Sequence, residues 1–213
     1  MPLHFYKRID HFYELAVWKI VEQESFFISR LLFTAADEKR LSEFQNPTRR
    51  LEWLATRYLI RYLLNPPDLI EMGAKENRKP FISNLKSHVS ISHCRGFAAV
   101  MVSDEMQVGV DIEGIHPRIK KIAHKFVNEV EEQMVAEGDE VEKLSAFWSL
   151  KESVFKAHGE GELVFADEIC IQPTVWPANV LEVELRKPGF ETSLKVNLKL
   201  DREEEYVLTW VAM

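Results

Sequence analysis

From about Arg49 to Leu64 the apolar residues Leu51, Leu54, Ala55, Tyr58, Leu59, Tyr62 and Leu63 recur three and four positions apart. That spacing predicts an amphipathic helix with one face on a core. Asn65-Pro66-Pro67 ends it, because proline cannot continue the hydrogen-bond ladder. Arg50, Arg57 and Arg61 gather on another face of the same helix. Upstream, Leu15 to Val21 is apolar enough for a buried strand, and Thr34-Ala35-Ala36-Asp37 has the hydroxyl and acid of a helix start.

The period then changes from helical to two. His88-Val89-Ser90-Ile91-Ser92-His93 alternates polar and apolar positions, Phe97 to Val102 follows after a short turn, and Val108 to Glu113 makes a third strand. Lys120 to Gly138 reads as one or two helices, and a long helix starts near Asp139 with Gly159 placed to stop it. Strand-like runs close the chain at Ile169–Ile171, Val180–Leu185, Leu194–Leu200 and Tyr206–Val211. The order mixes α and β without the βαβα alternation of a doubly wound sheet, which predicts an α+β fold. A seam near residues 103–107 divides it into halves, 1–105 and 106–213.

Composition narrows the function classes. The chain has 213 residues, 46% hydrophobic and 29% charged, with a formal net charge of −7. That balance lacks the basic footprint of a nucleic-acid binder. No apolar run reaches the ~18 residues of a membrane span. Cys94 and Cys170 are the only cysteines and form no CxxC, so a reducing compartment is expected. The segment from Met1 to Arg8 lacks a signal-peptide core. The expected location is cytoplasmic. GxxxxGK[ST], GxGxxG and GxSxG are all absent, which argues against P-loop, Rossmann and α/β-hydrolase enzymes.

Three segments carry candidate chemistry. In Val108-Gly109-Val110-Asp111-Ile112-Glu113, alternation puts Asp111 and Glu113 on one face, roughly 6.6 Å apart. Two such carboxylates call for a cation, and their oxygens suit Mg²⁺. Gly109 on that face would let a ligand approach the backbone. On the long helix, Glu152 and Lys156 share a face four residues apart, with Trp148 one turn earlier. A carboxylate there could complete a metal site or take a proton, and the lysine could neutralise a phosphate. Their bland alternative is a surface ion pair. Ser92 and His93 offer hydrogen-bond donors at a strand end, and Arg78-Lys79-Pro80 adds cations in a stiff turn.

Taken in order, these segments resemble the 4′-phosphopantetheinyl transferase superfamily, and among its members the longer, two-halved surfactin-synthetase type. Arg78-Lys79-Pro80 stands where that family has a GKP-like turn, and Ser90-Ile91-Ser92-His93 where it has an SISH-like strand end. Val108 to Glu113 matches its [IV]G[IV]D-x-E strand, and Trp148-Ser149-Leu150-Lys151-Glu152-Ser153-Val154-Phe155-Lys156 its W-[ST]-x-K-E-[SA]-x-x-K helix. The resemblance spans roughly residues 35–165.

It implies two similar α/β halves related by a pseudo-twofold, with the active site in the cleft between them. It implies Mg²⁺, or Mn²⁺ in its place, on Asp111, Glu113 and Glu152, with Lys156 on the coenzyme A pyrophosphate and Asp111, Glu152 and Lys156 as the catalytic set. Ser92, His93 and Arg57 would bind coenzyme A phosphates, with Lys79 near the nucleotide. Lys39 and Arg40 fall where further phosphate-binding cations occur, and Glu131 where an acid stands beside the metal. Arg78 replaces a usual glycine. The implied reaction moves 4′-phosphopantetheine from coenzyme A to a serine of an apo acyl, peptidyl or aryl carrier protein, releasing 3′,5′-ADP. The enzyme would be a monomer without nucleic-acid or membrane partners. The cationic stretch His116 to Phe126 is a candidate surface for the carrier. Rival readings are a metal-dependent phosphodiesterase and a non-catalytic coenzyme A-binding or carrier-docking module.

Overall fold

A computed structural model of the chain describes residues 2–9, 12–66, 68–75, 79–159 and 161–213. Arg78 lies outside the described residues. Contacts divide the chain into two compact units that meet in sequence at Val108 and Gly109.

The first unit opens with a hairpin of β1 (Leu3–Ile9) and β2 (Tyr13–Lys19). Short helices α1 (Glu24–Ile28) and α2 (Ala35–Glu43) lead to α3 (Pro47–Leu64). The pair β3 (Met72–Ala74) and β4 (Pro80–Ile82) precedes the hairpin β5 (His88–Cys94) and β6 (Phe97–Ser103). Four strands form an antiparallel sheet in the order β1-β2-β6-β5. Thr34 and Asp37 close a reciprocal capping box at α2. Asn46 caps α3 through the Thr48 and Arg49 amides, and Asn65 ends it in the left-handed region at φ 40°. Leu54, Ala55, Leu59 and Ile60 of α3 pack on Ala16 and Trp18 of β2 and on Ala98, Val100 and Val102 of β6. The expected strand from Leu15 to Val21 starts two residues earlier and ends two earlier, because Val21 has left the ladder and is exposed.

The second unit runs β7 (Val108–Gly114), a 3₁₀ segment (Pro117–Lys125), α4 (Glu129–Ala136), α5 (Glu140–His158), α6 (Phe165–Glu168), β8 (Ile169–Ile171), β9 (Val180–Lys187), β10 (Phe190–Asp201) and β11 (Tyr206–Ala212). Its five-stranded sheet has the order β7-β11-β10-β9-β8. Phe147, Leu150 and Val154 of α5 meet Val183, Leu185, Val196, Leu198 and Val207 in the core. Gly159 (φ 63°) ends α5. Each unit is thus a long helix laid on a sheet, an α+β fold of two similar halves. No helix among the described residues is long and apolar enough to cross a membrane.

One polar node holds the second unit together. The Lys151 ammonium is fully buried and donates to Glu131 Oε2 (2.7 Å), Phe126 O (2.6 Å) and Phe165 O (2.9 Å). Those three bonds use every proton it has. Glu131 also accepts from the Ile171 amide at 2.8 Å and the Asn128 amide at 3.2 Å. Burial raises the Glu131 carboxyl and lowers the Lys151 ammonium, and each is pulled back by the other. The expectation that Glu131 stands beside a metal is corrected here. Its oxygens are committed to closing the edge of β8 and neutralising Lys151.

Removing one partner of a buried pair leaves the other charge stranded. Glu131→Ala is expected to lose about 3–5 kcal/mol in denaturant unfolding. The double change to Met at Glu131 and Lys151 removes the stranded charge but leaves the Ile171 and Asn128 amides and the Phe126 and Phe165 carbonyls without these partners, so it should recover only part of that loss.

Candidate functional site

Four predicted site residues come together in the second unit. Gly109, Asp111 and Glu113 share one face of β7, and α5 lies against that face. A Cβ on Gly109 would meet the Ser153 carbonyl oxygen at 1.9 Å and the Ala157 nitrogen at 2.7 Å. The expectation that Gly109 leaves room for a ligand is therefore corrected: the space belongs to the helix. Ser149 Oγ is 3.0 Å from Thr209 Oγ1 and donates to Asp111 O at 3.4 Å, which ties α5 to β7 and β11. Small residues on both sides bring the helix close enough for its longer side chains to reach the strand.

Lys156 is the first of these. Its ammonium lies 2.7 Å from Asp111 Oδ1 and 3.3 Å from Val110 O. Asp111 is only 5% exposed. Glu113 accepts from the Gly114 amide at 3.0 Å. Glu152 is one turn before Lys156 on α5. Burial pushes its carboxyl up, Lys156 opposes that, and the charges of Asp111 and Glu113 push it further. The three carboxylates therefore act on one another. Trp148, by contrast, packs on Phe126 and Phe165 and anchors the helix.

Three mutually repelling carboxylates have the donor chemistry of a hard divalent cation. Among the described residues no three acidic, histidine or cysteine side chains are grouped closely enough to hold an ion as they stand. The cation beside Asp111 in this structure is the Lys156 ammonium.

The predicted residues of the first unit lie in separate places. Arg57 stacks over the Trp53 ring at 4.6 Å, and its Nε is 3.7 Å from Asp37 Oδ1. Burial lowers its guanidinium against the pull of Asp37. Lys79 donates to Gln107 Oε1 at 2.8 Å. Ser92 is buried on β5, and Lys39 is exposed on α2. Arg40 lies over Phe44 and pairs with Glu43. His93 faces neither Arg57 nor Lys79. Its Nδ1 is 3.1 Å from Arg49 Nη1 and 3.1 Å from Glu52 Oε2, both on α3.

Arg49, Glu52 and Lys151 are functional or structural residues that sequence reasoning passed over. A signal existed for Glu52: it is an acid next to Leu51 and Leu54 on an otherwise apolar stripe. Arg49 is three residues from it, within reach on one helix face.

Comparison with known proteins adds a family. Residues 107–211 match the sequence model of the 4′-phosphopantetheinyl transferase superfamily. Over 113 residues the chain is 35% identical to the 4′-phosphopantetheinyl transferase gsp of Aneurinibacillus migulanus, covering 52% of this chain and 47% of that protein. It is 37% identical over 118 residues to the 4′-phosphopantetheinyl transferase AcpT of Salmonella typhimurium, covering 52% and 60%. A 24% identity to the 4′-phosphopantetheinyl transferase HetI of a Nostoc species extends over 76% of each chain. The chain spans about half to three fifths of the length of the first two relatives.

The raised Glu152 carboxyl sets a pH dependence. The folded chain holds that proton more tightly than the unfolded chain does. The associated stability is full below the ordinary carboxylate range and is lost as pH rises through the folded value. Glu152→Gln is neutral at every pH, so it should melt a few degrees above the wild type at about pH 8. The gain should shrink toward zero near about pH 4, as followed by thermal unfolding across that range.

Proposed function

We propose that this chain transfers the 4′-phosphopantetheine arm of coenzyme A to a serine hydroxyl of an apo carrier protein and releases 3′,5′-ADP, because residues 107–211 match the sequence model of the 4′-phosphopantetheinyl transferase superfamily. The supporting observation is the set Asp111, Glu113, Glu152 and Lys156, drawn together on β7 and α5 within the matched residues.

Asp111, Glu113 and Glu152 would hold Mg²⁺ or Mn²⁺, which when bound supplies positive charge to the pyrophosphate. The remaining work falls to the chain's own side chains. Lys156 turns from Asp111 to a pyrophosphate oxygen and stabilises the charge that builds there. Glu152, whose carboxyl is raised, takes the serine proton directly or through one water. The serine oxygen bonds to the phosphorus that carries pantetheine, and the bond from that phosphorus to the bridging oxygen breaks. The electron pair leaves with 3′,5′-ADP.

His93 and Ser92 are proposed to contact coenzyme A phosphates, with His93 at the 3′-phosphate, Lys79 near the nucleotide, and Lys39 as a further cation. Arg57 would join them by leaving Asp37. The carrier is proposed to meet the 3₁₀ segment. Arg118, Lys120, Lys121 and Lys125 are exposed there, no acid lies among its nine residues, and Ile119 anchors it inward. Lys120 pairs with Glu140. An acidic partner surface would suit the other three. A monomer working in the cytoplasm completes the reading.

The test is intact mass spectrometry of an apo acyl carrier protein incubated with this chain, coenzyme A and Mg²⁺, with and without chelator. A chelator-sensitive gain of one phosphopantetheine arm is expected. Asp111→Ala should lower the rate by roughly 100-fold, and near-normal turnover in that variant at saturating metal would sink the assignment. Binding of coenzyme A without labelling of several unrelated carriers would favour the docking-module reading. Charge reversal at Arg118, Lys121 and Lys125 should raise the KM for carrier by about tenfold and leave the KM for coenzyme A unchanged.

A further inference from the structure

Ser145, Ser149 and Ser153 follow one another at four-residue steps along α5, all fully buried, and their hydroxyls differ in what they reach. Ser153 Oγ donates to Leu150 O of its own helix at 2.8 Å. Ser145 Oγ is buried without a hydrogen-bond partner among the described residues. Ser149 Oγ is the one of the three that reaches other elements, at 3.0 Å from Thr209 Oγ1 of β11 and 3.4 Å from Asp111 O of β7. A helical serine ordinarily bonds back to its own preceding turn, so a second group must draw Ser149 outward. Thr209 is that group. It is fully buried, and it lies outside every motif that the sequence singles out.

The bond directions follow from counting protons. Each hydroxyl has one to give. If Ser149 donated to Thr209, the threonine proton would find no acceptor among the described residues, because Ser149 is the hydrogen-bond partner of Oγ1. A buried donor left unmatched costs free energy. If Thr209 donates to Ser149 and Ser149 donates to Asp111 O, both protons are used. The satisfied arrangement is therefore a relay from the threonine through the serine to the Asp111 carbonyl.

That relay ends on a member of the acid set. Seven residues separate Ser149 from Lys156, a rotation of about 700° that returns to within ~20° of the same line along the helix. Along that line Lys156 holds the Asp111 carboxylate at 2.7 Å and Ser149 holds the Asp111 carbonyl. When Lys156 turns to a pyrophosphate oxygen, its hold on the carboxylate is lost and the serine's hold on the carbonyl stays.

We propose that Thr209 is a positioning residue for the metal site: through Ser149 it pins the Asp111 backbone, so that the Asp111 carboxylate stays in register with Glu113 and Glu152 when Lys156 releases it. This rests on the reading above that those three acids hold Mg²⁺ or Mn²⁺. The relay does not touch the ion. It narrows the positions that Asp111 samples, and a ligand already in place binds with less ordering cost.

The experiment is titration of the full chain with Mn²⁺ in the presence of coenzyme A. Free Mn²⁺ is followed by its electron paramagnetic resonance signal, and coenzyme A alone is the blank. Thr209→Val nearly keeps the side chain's size and removes the hydroxyl, which lets the serine fall back to its own turn. It should raise the Mn²⁺ dissociation constant about tenfold, and Thr209→Ser, which keeps the hydroxyl, should stay near the wild type. Ser149→Ala should match Thr209→Val, and the double variant should be no weaker than either, because both cut one relay. Ser153→Ala removes a hydroxyl bonded within its own helix and should leave Mn²⁺ affinity unchanged. If Thr209→Val does not fold, Thr209→Ala and Ser149→Ala read the same effect. A purely structural role would lower the melting temperature of these variants and leave their Mn²⁺ affinity at the wild-type value. That result, or single effects that multiply in the double variant, overturns the positioning role alone. Absence of Mn²⁺ binding by the wild type overturns it together with the metal-dependent transferase reading.

Discussion

The close approach of α5 to β7 is possible because Gly109 has no side chain: any Cβ there would fall 1.9 Å from the Ser153 carbonyl oxygen. Helix and strand normally stand apart by the thickness of their side chains, and here that layer is thinned to Gly109, Ser149, Ser153 and Ala157. The buried hydroxyl pair Ser149–Thr209 then fixes the register of the helix along the sheet. With the backbones this close, Lys156 reaches Asp111 while remaining 27% exposed. Glu152, one turn earlier, enters the field of Asp111 and Glu113. A wider gap would leave each carboxylate in its own water.

Two lysines on the same helix show how that geometry divides structure from chemistry. Lys151 and Lys156 are five residues apart, about 140° around the axis at 100° per residue. Lys151 turns inward, where its three protons meet two carbonyls and Glu131, so it has no donor left for a ligand. Lys156 turns toward the carboxylates, where its bond to Asp111 is partly exposed and exchangeable. Glu131 and Glu152 divide likewise. Burial raises both, but Glu131 is neutralised in place by a lysine and two amides, whereas Glu152 faces two further acids. The Lys151 pair holds α4, α5, α6 and β8 together, and the acid set at the other face is left with repulsion that a bound cation or proton relieves.

Much of this was legible in the sequence because period and caps report local structure directly. The capping box at Thr34, the stop at Asn65 and the glycine end of α5 are each decided by residues within one turn. The alternation of Val108 to Glu113 gave the shared face of the acids. What alternation could not give is which layer covers that face, since a glycine reads equally as room for a ligand or room for a helix. The stretch from Lys120 to Gly138, expected to hold one or two helices, holds the end of a 3₁₀ segment and a short α-helix. Pro117 and the His116 side chain start the 3₁₀ turns. The strand β1 is masked in the sequence because Lys7 interrupts the apolar face of Leu3, Phe5 and Ile9, while Tyr6 stands exposed on the other face.

The first unit shows a different limit, one of reach along a helix. Arg49 and Arg57 are eight residues apart on α3, which is about 12 Å at 1.5 Å per residue. His93 lies beside Arg49, and the base of Arg57 is that far down the axis. Arg57 is also engaged on both sides, with its guanidinium over Trp53 and Asp37 beside its Nε. Asp37 is in turn the capping acid of α2, but it closes the cap through Oδ2 and faces Arg57 through Oδ1. The Arg49 side chain has no such stack: its contacts are to Glu52 and His93, while its backbone amide donates to the Asn46 cap. Arg49 is thus the more exposed of the two arginines and gives up no ring stack when it moves, and the acid that sets its resting position is Glu52.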